Sequence, residues 1–229
     1  YAKAYEAYNL GLKTIPLSLD HPRTQIQKAI LLQNMAECLL AWKNSDTVMV
    51  LLEEARQISY KLDDSWGKST VHFAMGTWFH SKKQINSAFL HYNKALQFGR
   101  MTYGAYDREI TKIQIAIGQL HEEQHQYESA LAAYHAGLIC LFPGLNQDVH
   151  SLPEKKDLYV EPQTVEALRQ KASVFHKLYQ RDGDVANLLH QMRHLEAAID
   201  QLDLLRDYFM YEKEKEWLFS FFHPVFQAA

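Results

Sequence analysis

The chain has only two cysteines, Cys38 and Cys140, each set in an apolar stretch (NMAECLLAW and GLICLF), with no C-x-x-C pair. That excludes a disulfide framework and reads as a reducing, cytoplasmic setting with structural thiols. Apolar residues never run for the roughly 18 to 20 positions a membrane span needs, so no membrane partner is expected. No charge of one sign dominates either. Lys plus Arg number 24 and Asp plus Glu 27, for a formal net charge of −3, and like charges never gather into a block of five. A sequence-independent grip on nucleic acid requires a concentrated basic surface, so no nucleic-acid partner is expected. Alternation of strand and helix patterns is missing throughout, which leaves an all-α chain. With 229 residues, 47% of them hydrophobic, it can bury a sizeable core in one or two domains.

What is present is a repeat. VHFAMGTWFHSKKQINSAFLHYNKALQF places Gly76 and Phe79, then Ala88, Tyr92 and Ala95, in the order small, aromatic, small, aromatic, small. IQIAIGQLHEEQHQYESALAAYHAGLICL aligns Gly118, then Ala130, Tyr134 and Gly137. Earlier, LLQNMAECLLAWKNSDTVMVLLEEARQI supplies Ala36 and Leu39, then Val48, Leu52 and Ala55, while AYEAYNLGL has only a second helix with Ala4, Tyr8 and Gly11. This pattern resembles the tetratricopeptide repeat. The intervals from Ala4 to Val48, Ala88 and Ala130 are 44, 40 and 42 residues, longer than the usual repeat of about 34. The surplus falls at turns such as LDHP, LDDSWGK and YGAYDRE, where Asp20 with Pro22 marks a helix start. The expected fold is an all-α, right-handed solenoid of helical hairpins with 40–42-residue repeats. Small residues at each crossing let backbones approach, and Tyr or Leu fills the groove.

The expected divisions are a second helix and turn over residues 1–22, repeats over 23–62, 63–103 and 104–142, and a long loop over 143–161. An atypical repeat over 162–210 and a C-terminal helix over 211–229 complete the chain. Beginning at Tyr1 instead of Met, and in mid-repeat, it is expected to be a piece of a longer protein.

HEEQH, from His121 to His125, fits the H-E-x-x-H pattern of zinc hydrolases, in which two histidines one turn apart hold the metal and the glutamate is general base. Here the motif falls where a first helix ends and an inter-helix turn begins, so a packed His121 and a solvated His125 are expected, with no metal and no cofactor. A zinc hydrolase through His121, Glu122 and His125 is the competing reading from another functional class. WGKST, from Trp66 to Thr70, ends like a P-loop, but Leu62 stands where the first glycine belongs and the preceding segment is helical. It reads as a helix start capped by Ser65.

After Leu141 the period breaks at FPGLNQDVHSLPEKKDLYVEP, which holds three of the six prolines. A loop of that length within an array is unusual. Helical pattern resumes in QTVEALRQKASVFHKLYQ, with Ala172 and Phe175, and in a long second helix with Ala198, Leu202 and Leu205. Together, ALAAYHAGLICLFPGLN, the loop, VEALRQKASVFHKLYQRDGDVANL and LEAAIDQLDLLRDYF resemble the repeat region that precedes the caspase-like domain of bacterial CHAT proteins. The resemblance implies a tetratricopeptide scaffold that controls a C-terminal protease with a His and Cys dyad. That domain is absent from this sequence, so no catalytic residue is assigned and the chain itself is expected not to be an enzyme.

In such an array the first helix of each pair lines a concave face, where a protein or peptide ligand docks. Counting from the crossing residues, the candidate groove positions are Gln33, Glu37, Thr77, His80, Gln119, Glu122, Glu123, Arg169, Ser173, His176 and Lys177. Clamps for chaperone carboxyl termini carry Lys, Asn and Arg where this chain has Gln33, Phe73 and Ile115, so that ligand is not expected. A peptide sensor or cargo adaptor without a protease is the alternative. The final stretch YEKEKEWLFSFFHPVFQAA carries an apolar stripe from Trp217 to Phe226 that must be covered, either by the preceding helix or by a partner.

Overall fold

The computed structural model describes residues 1–15, 21–42, 47–104, 107–154 and 161–208. Asp20 and the segment from Trp217 to Phe226 lie outside them. The described residues are all-α, with no strand among them. None of their helices is long and apolar enough to cross a membrane. The chain separates into two compact units, residues 1–104 and 105–229.

The first unit contains α1 (Ala2–Thr14), α2 (Pro22–Trp42), α3 (Thr47–Lys61), α4 (Ser65–Ser81) and α5 (Ile85–Tyr103). Successive helices pack on one another, and α2 also reaches α4. Its core joins Leu32, Ala36 and Leu39 of α2 to Val48, Leu52 and Ala55 of α3 and to Val71 and Met75 of α4. Proline opens α2, where its fixed φ suits a first turn and its missing N–H is no loss. The start of α4 differs from expectation by one residue. Asp64 is the extended cap residue and Ser65 is already helical, because the three-residue turn after α3 is consumed in reversing the chain.

The second unit contains α6 (Arg108–Glu123), α7 (Tyr127–Leu141), α8 (Pro162–Asp182) and α9 (Val185–Tyr208). Asp107 caps α6 by accepting a hydrogen bond from the Glu109 N–H at 2.8 Å. Gly183 ends α8 in the left-handed conformation. The core gathers Tyr134 and Leu138 of α7, Leu168 and Phe175 of α8, and Ala198, Leu202 and Leu205 of α9.

Two hairpins, α4–α5 and α6–α7, repeat one another in detail at an interval of 42 residues. A Cβ on Gly76 would stand 2.4 Å from Tyr92 Cδ1, and one on Gly118 would stand 2.4 Å from Tyr134 Cε1. Each tyrosine ring therefore lies directly on a glycine backbone, a close approach that no larger residue permits. Ser69 donates a hydrogen bond to the Ala95 carbonyl at 2.9 Å, and Thr111 donates one to the Gly137 carbonyl at 3.0 Å.

The turns also match. Lys83 and His125 both adopt positive φ, of 58° and 57°. The next N–H, of Gln84 or Gln126, bonds back to the carbonyl of Phe79 or His121 at 2.9 Å in each case. This six-residue closure is the Schellman arrangement. Asp63, with φ 53°, makes the same reversal between α3 and α4, where the Asp64 N–H bonds to the Ser59 carbonyl.

Candidate functional site

The turn geometry places HEEQH in a repeated structural feature. α6 ends at Glu123, so His121 is on the helix and His125 lies beyond it in the left-handed conformation. His121 Nδ1 pairs with Gln126 Oε1 at 2.7 Å, and His125 Nδ1 pairs with the Tyr127 hydroxyl at 3.0 Å. His125 is exposed and His121 half-buried. The two imidazoles therefore do not share the continuous helical face that the zinc-hydrolase pattern requires.

In the first unit, the candidate groove residues fall in different environments. Gln33 is buried and its amide donates weakly to the Gly67 carbonyl, at 3.5 Å. Thr77 donates to the Phe73 carbonyl at 3.1 Å and accepts from the Tyr92 hydroxyl at 3.3 Å. Both belong to the packing of the helices. Glu37 is exposed and His80 half-buried.

In the second unit, three candidates come together on one buried carboxylate. Glu122 of α6 accepts hydrogen bonds from Ser173 at 3.0 Å and Lys177 at 2.7 Å, both on α8, and from the Tyr134 hydroxyl of α7 at 2.7 Å. Burial and the adjoining carboxylate push the Tyr134 phenol up. With three donors satisfied, Glu122 joins three helices and is not offered to a ligand as a bare acceptor. Arg169 makes a two-pronged pair with Glu166, at 2.8 and 3.2 Å. His176 bonds to Gln191 at 3.1 Å and to Gln180 at 2.9 Å. Gln119 is half-buried and Glu123 exposed.

Two polar clusters escaped the sequence analysis because repeat counting assigns their positions to the core. The first surrounds Lys171, which is fully buried on α8. Its ammonium reaches His135 Nδ1 at 3.2 Å and the Ser151 carbonyl at 3.4 Å. His135 Nε2 meets the Asn146 carbonyl at 2.8 Å. A carbonyl only accepts, so Nε2 carries the proton and Nδ1 is the acceptor for Lys171. These contacts tie both arms of the loop over residues 142–154 to the helical core. His150, braced by Asp148 at 2.8 Å, packs at a tilt against His190 of α9 with ring centres 4.4 Å apart. Burial lowers Lys171 to about 7, and burial with the nearby Lys171 lowers His135 and takes His194 to about 3.

The second cluster is in the first unit. His72 of α4 is buried, with Nδ1 3.0 Å from His91 Nδ1 of α5 and Nε2 2.9 Å from the Tyr60 hydroxyl of α3. Burial, then the charges of Lys94 and Arg56, hold both imidazoles below their usual range, and the neighbouring His91 adds to this at His72, which is lowered to about 4. The only sequence signal was the pair of histidines at core-type positions, 19 residues apart.

No family model and no curated protein matches the chain. Among solved structures it is similar to the crystal structure of BtubC (BKLC) from P. vanneervenii. The TM-score is 0.66 at 16% sequence identity, over 92% of this chain and 76% of that one. The likeness is one of fold. At this identity it speaks for the helical architecture and not for a shared activity.

Proposed function

We propose that the chain is a tetratricopeptide-type repeat module that binds a protein or peptide and serves as the N-terminal sensing or scaffold part of a bacterial, cytoplasmic CHAT protease-like protein. The observation that carries the binding role is the meeting of α6 and α8, the first helices of two successive hairpins, through Glu122, Ser173 and Lys177. Placing first helices side by side is what creates a continuous recognition face in a repeat array. The Gly–Tyr crossings at Gly76 and Gly118 support the repeat assignment. The ligand would contact the outer polar groups of that face, including Gln119, Glu123, Arg169, His176 and the exposed flank of Lys177. Control of a protease then requires the ligand to favour one packing of module against protease over another, by its differential affinity for the two.

The test has two parts. Reading the gene beyond Ala229 should reveal a caspase-like α/β domain with one His and one Cys in active-site settings; a stop or an unrelated domain overturns the protease assignment. Adding a cognate peptide to the joined protein should raise its melting temperature and change protease activity together. A rise in melting temperature from a chain with no protease attached would instead identify a peptide sensor or cargo adaptor.

A further inference from the structure

The His72–His91 pair forms one wall of an open pocket of about 240 Å³ that no groove position explains. Three helices line it. Met49, Glu53 and Arg56 come from α3, His72, Met75 and Phe79 from α4, and His91 and Lys94 from α5. On α4, Thr77 lies about 140° around the helix from His72, so the pocket opens on a different side from the candidate groove. The pocket adjoins a shallower depression of about 460 Å³ along α3, and the two share Met49 and Glu53. Val50, 67% exposed, lies in that second depression. The second depression is lined by Met49 and Val50 together with Glu53, Glu54 and Gln57, and Glu54 is paired with Lys28 at 2.6 Å.

Its charges do not cancel. Glu53 is already engaged by Arg56 through two hydrogen bonds, at 2.8 and 2.6 Å. Lys94, half-buried at the pocket wall, has no carboxylate partner among the described residues. The cavity therefore carries one uncompensated positive charge beside two imidazoles. We propose that this pocket receives the carboxylate of an acidic side chain from a peptide segment, with Lys94 as its counter-ion and Met49 and Val50 under a neighbouring apolar residue. Two contiguous depressions suit an extended segment, and the volume beside Lys94 suits one side chain. This site is independent of the groove reading, since it uses none of the groove residues.

Two Nδ1 atoms 3.0 Å apart share one proton when both rings are neutral, one donating to the other. Burial is the largest influence holding the rings neutral; Arg56 of α3 and Lys94 of α5 act in the same direction, Glu53 of α3 opposes them, and Tyr60 is bonded to His72. A bound carboxylate offsets Lys94 but adds to the burial, so the pair stays neutral and forms a polar wall beside the ligand.

The test uses the whole chain and the probe acetyl-Ala-Leu-Glu-Leu-Ala-amide, followed through the imidazole NMR signals of His72 and His91. The expected result is saturable movement of both signals. Lys94→Gln should lower affinity about tenfold while leaving the circular dichroism unchanged. The peptide with Gln in place of Glu should bind as weakly as the variant does. Absence of movement, or equal binding to the Lys94→Gln protein, overturns the site. Glutarate binding as tightly as the peptide overturns the peptide assignment in favour of a free dicarboxylic acid. Loss of binding in Lys177→Met would place the ligand on the groove and overturn the pocket equally.

Discussion

Glu122 and Lys177 form a 2.7 Å ion pair that is buried at its carboxylate end and open at its ammonium end, with side-chain exposures of 9% and 40%. The two partners are therefore not equivalent. Glu122→Ala strips acceptors from Tyr134, Ser173 and Lys177 at once, and is expected to cost about 3 kcal/mol. Lys177→Met leaves Glu122 with two donors and is expected to cost about 1 kcal/mol or less. Urea denaturation of both variants measures the asymmetry; equal losses would contradict the three-helix junction.

Gly118→Ala should destabilise the chain by about 2 kcal/mol, because the new Cβ meets the Tyr134 ring. Helix propensity alone predicts the opposite sign, a gain of about 1 kcal/mol. Gly76→Ala should behave the same way against Tyr92. Combining Gly118→Ala with Tyr134→Leu removes the collision, so the double variant should lose less than the sum of its parts.

Lys171 titrates at about 7 in the fold because burial disfavours its charge, and near 10.4 when unfolded. The unfolded chain thus binds more protons between those values. Stability should fall as pH drops from about 10 to about 7, by on the order of a few kcal/mol, and level off below. Lys171→Met should flatten that interval. Melting temperatures of both proteins across it provide the check, and parallel curves would exclude the buried amine as the source.

His194 donates to the His190 carbonyl at 2.7 Å while its buried Nε2 has no partner among the described residues. Burial holds it at about 3. Its folded value is below its unfolded one, so it withdraws stability as pH falls from about 6.5 towards about 3. His72, held at about 4 mainly by burial, acts in the same sense in the other unit. His194→Leu should make acid unfolding less steep, as read by far-ultraviolet circular dichroism of both proteins across that pH range.

His125→Gly should preserve or raise stability by up to about 1 kcal/mol, because a left-handed residue with a Cβ is strained. A zinc-binding role for HEEQH would make the same substitution abolish bound metal in elemental analysis of the purified chain.

The helical class and the sites of closest backbone approach were legible in the amino-acid order, since small and aromatic residues recur with helical spacing and that spacing needs no knowledge of neighbours. Gly76, Gly118, Tyr92 and Tyr134 could be paired on that basis, and the end of α6 within HEEQH followed from the position of the motif in the repeat. Side-chain partners at long range could not. Whether Glu122 is a free acceptor or a saturated junction depends on where Ser173 and Lys177 arrive, 51 and 55 residues later. The same is true of Lys171, whose environment is set by His135 and by the carbonyl of Ser151, and of His72, whose ring lies between Tyr60 and His91. Local periodicity decided which residues face inward; only the tertiary structure decided which polar groups meet there, because desolvation and hydrogen bonding act across contacts that sequence spacing does not encode.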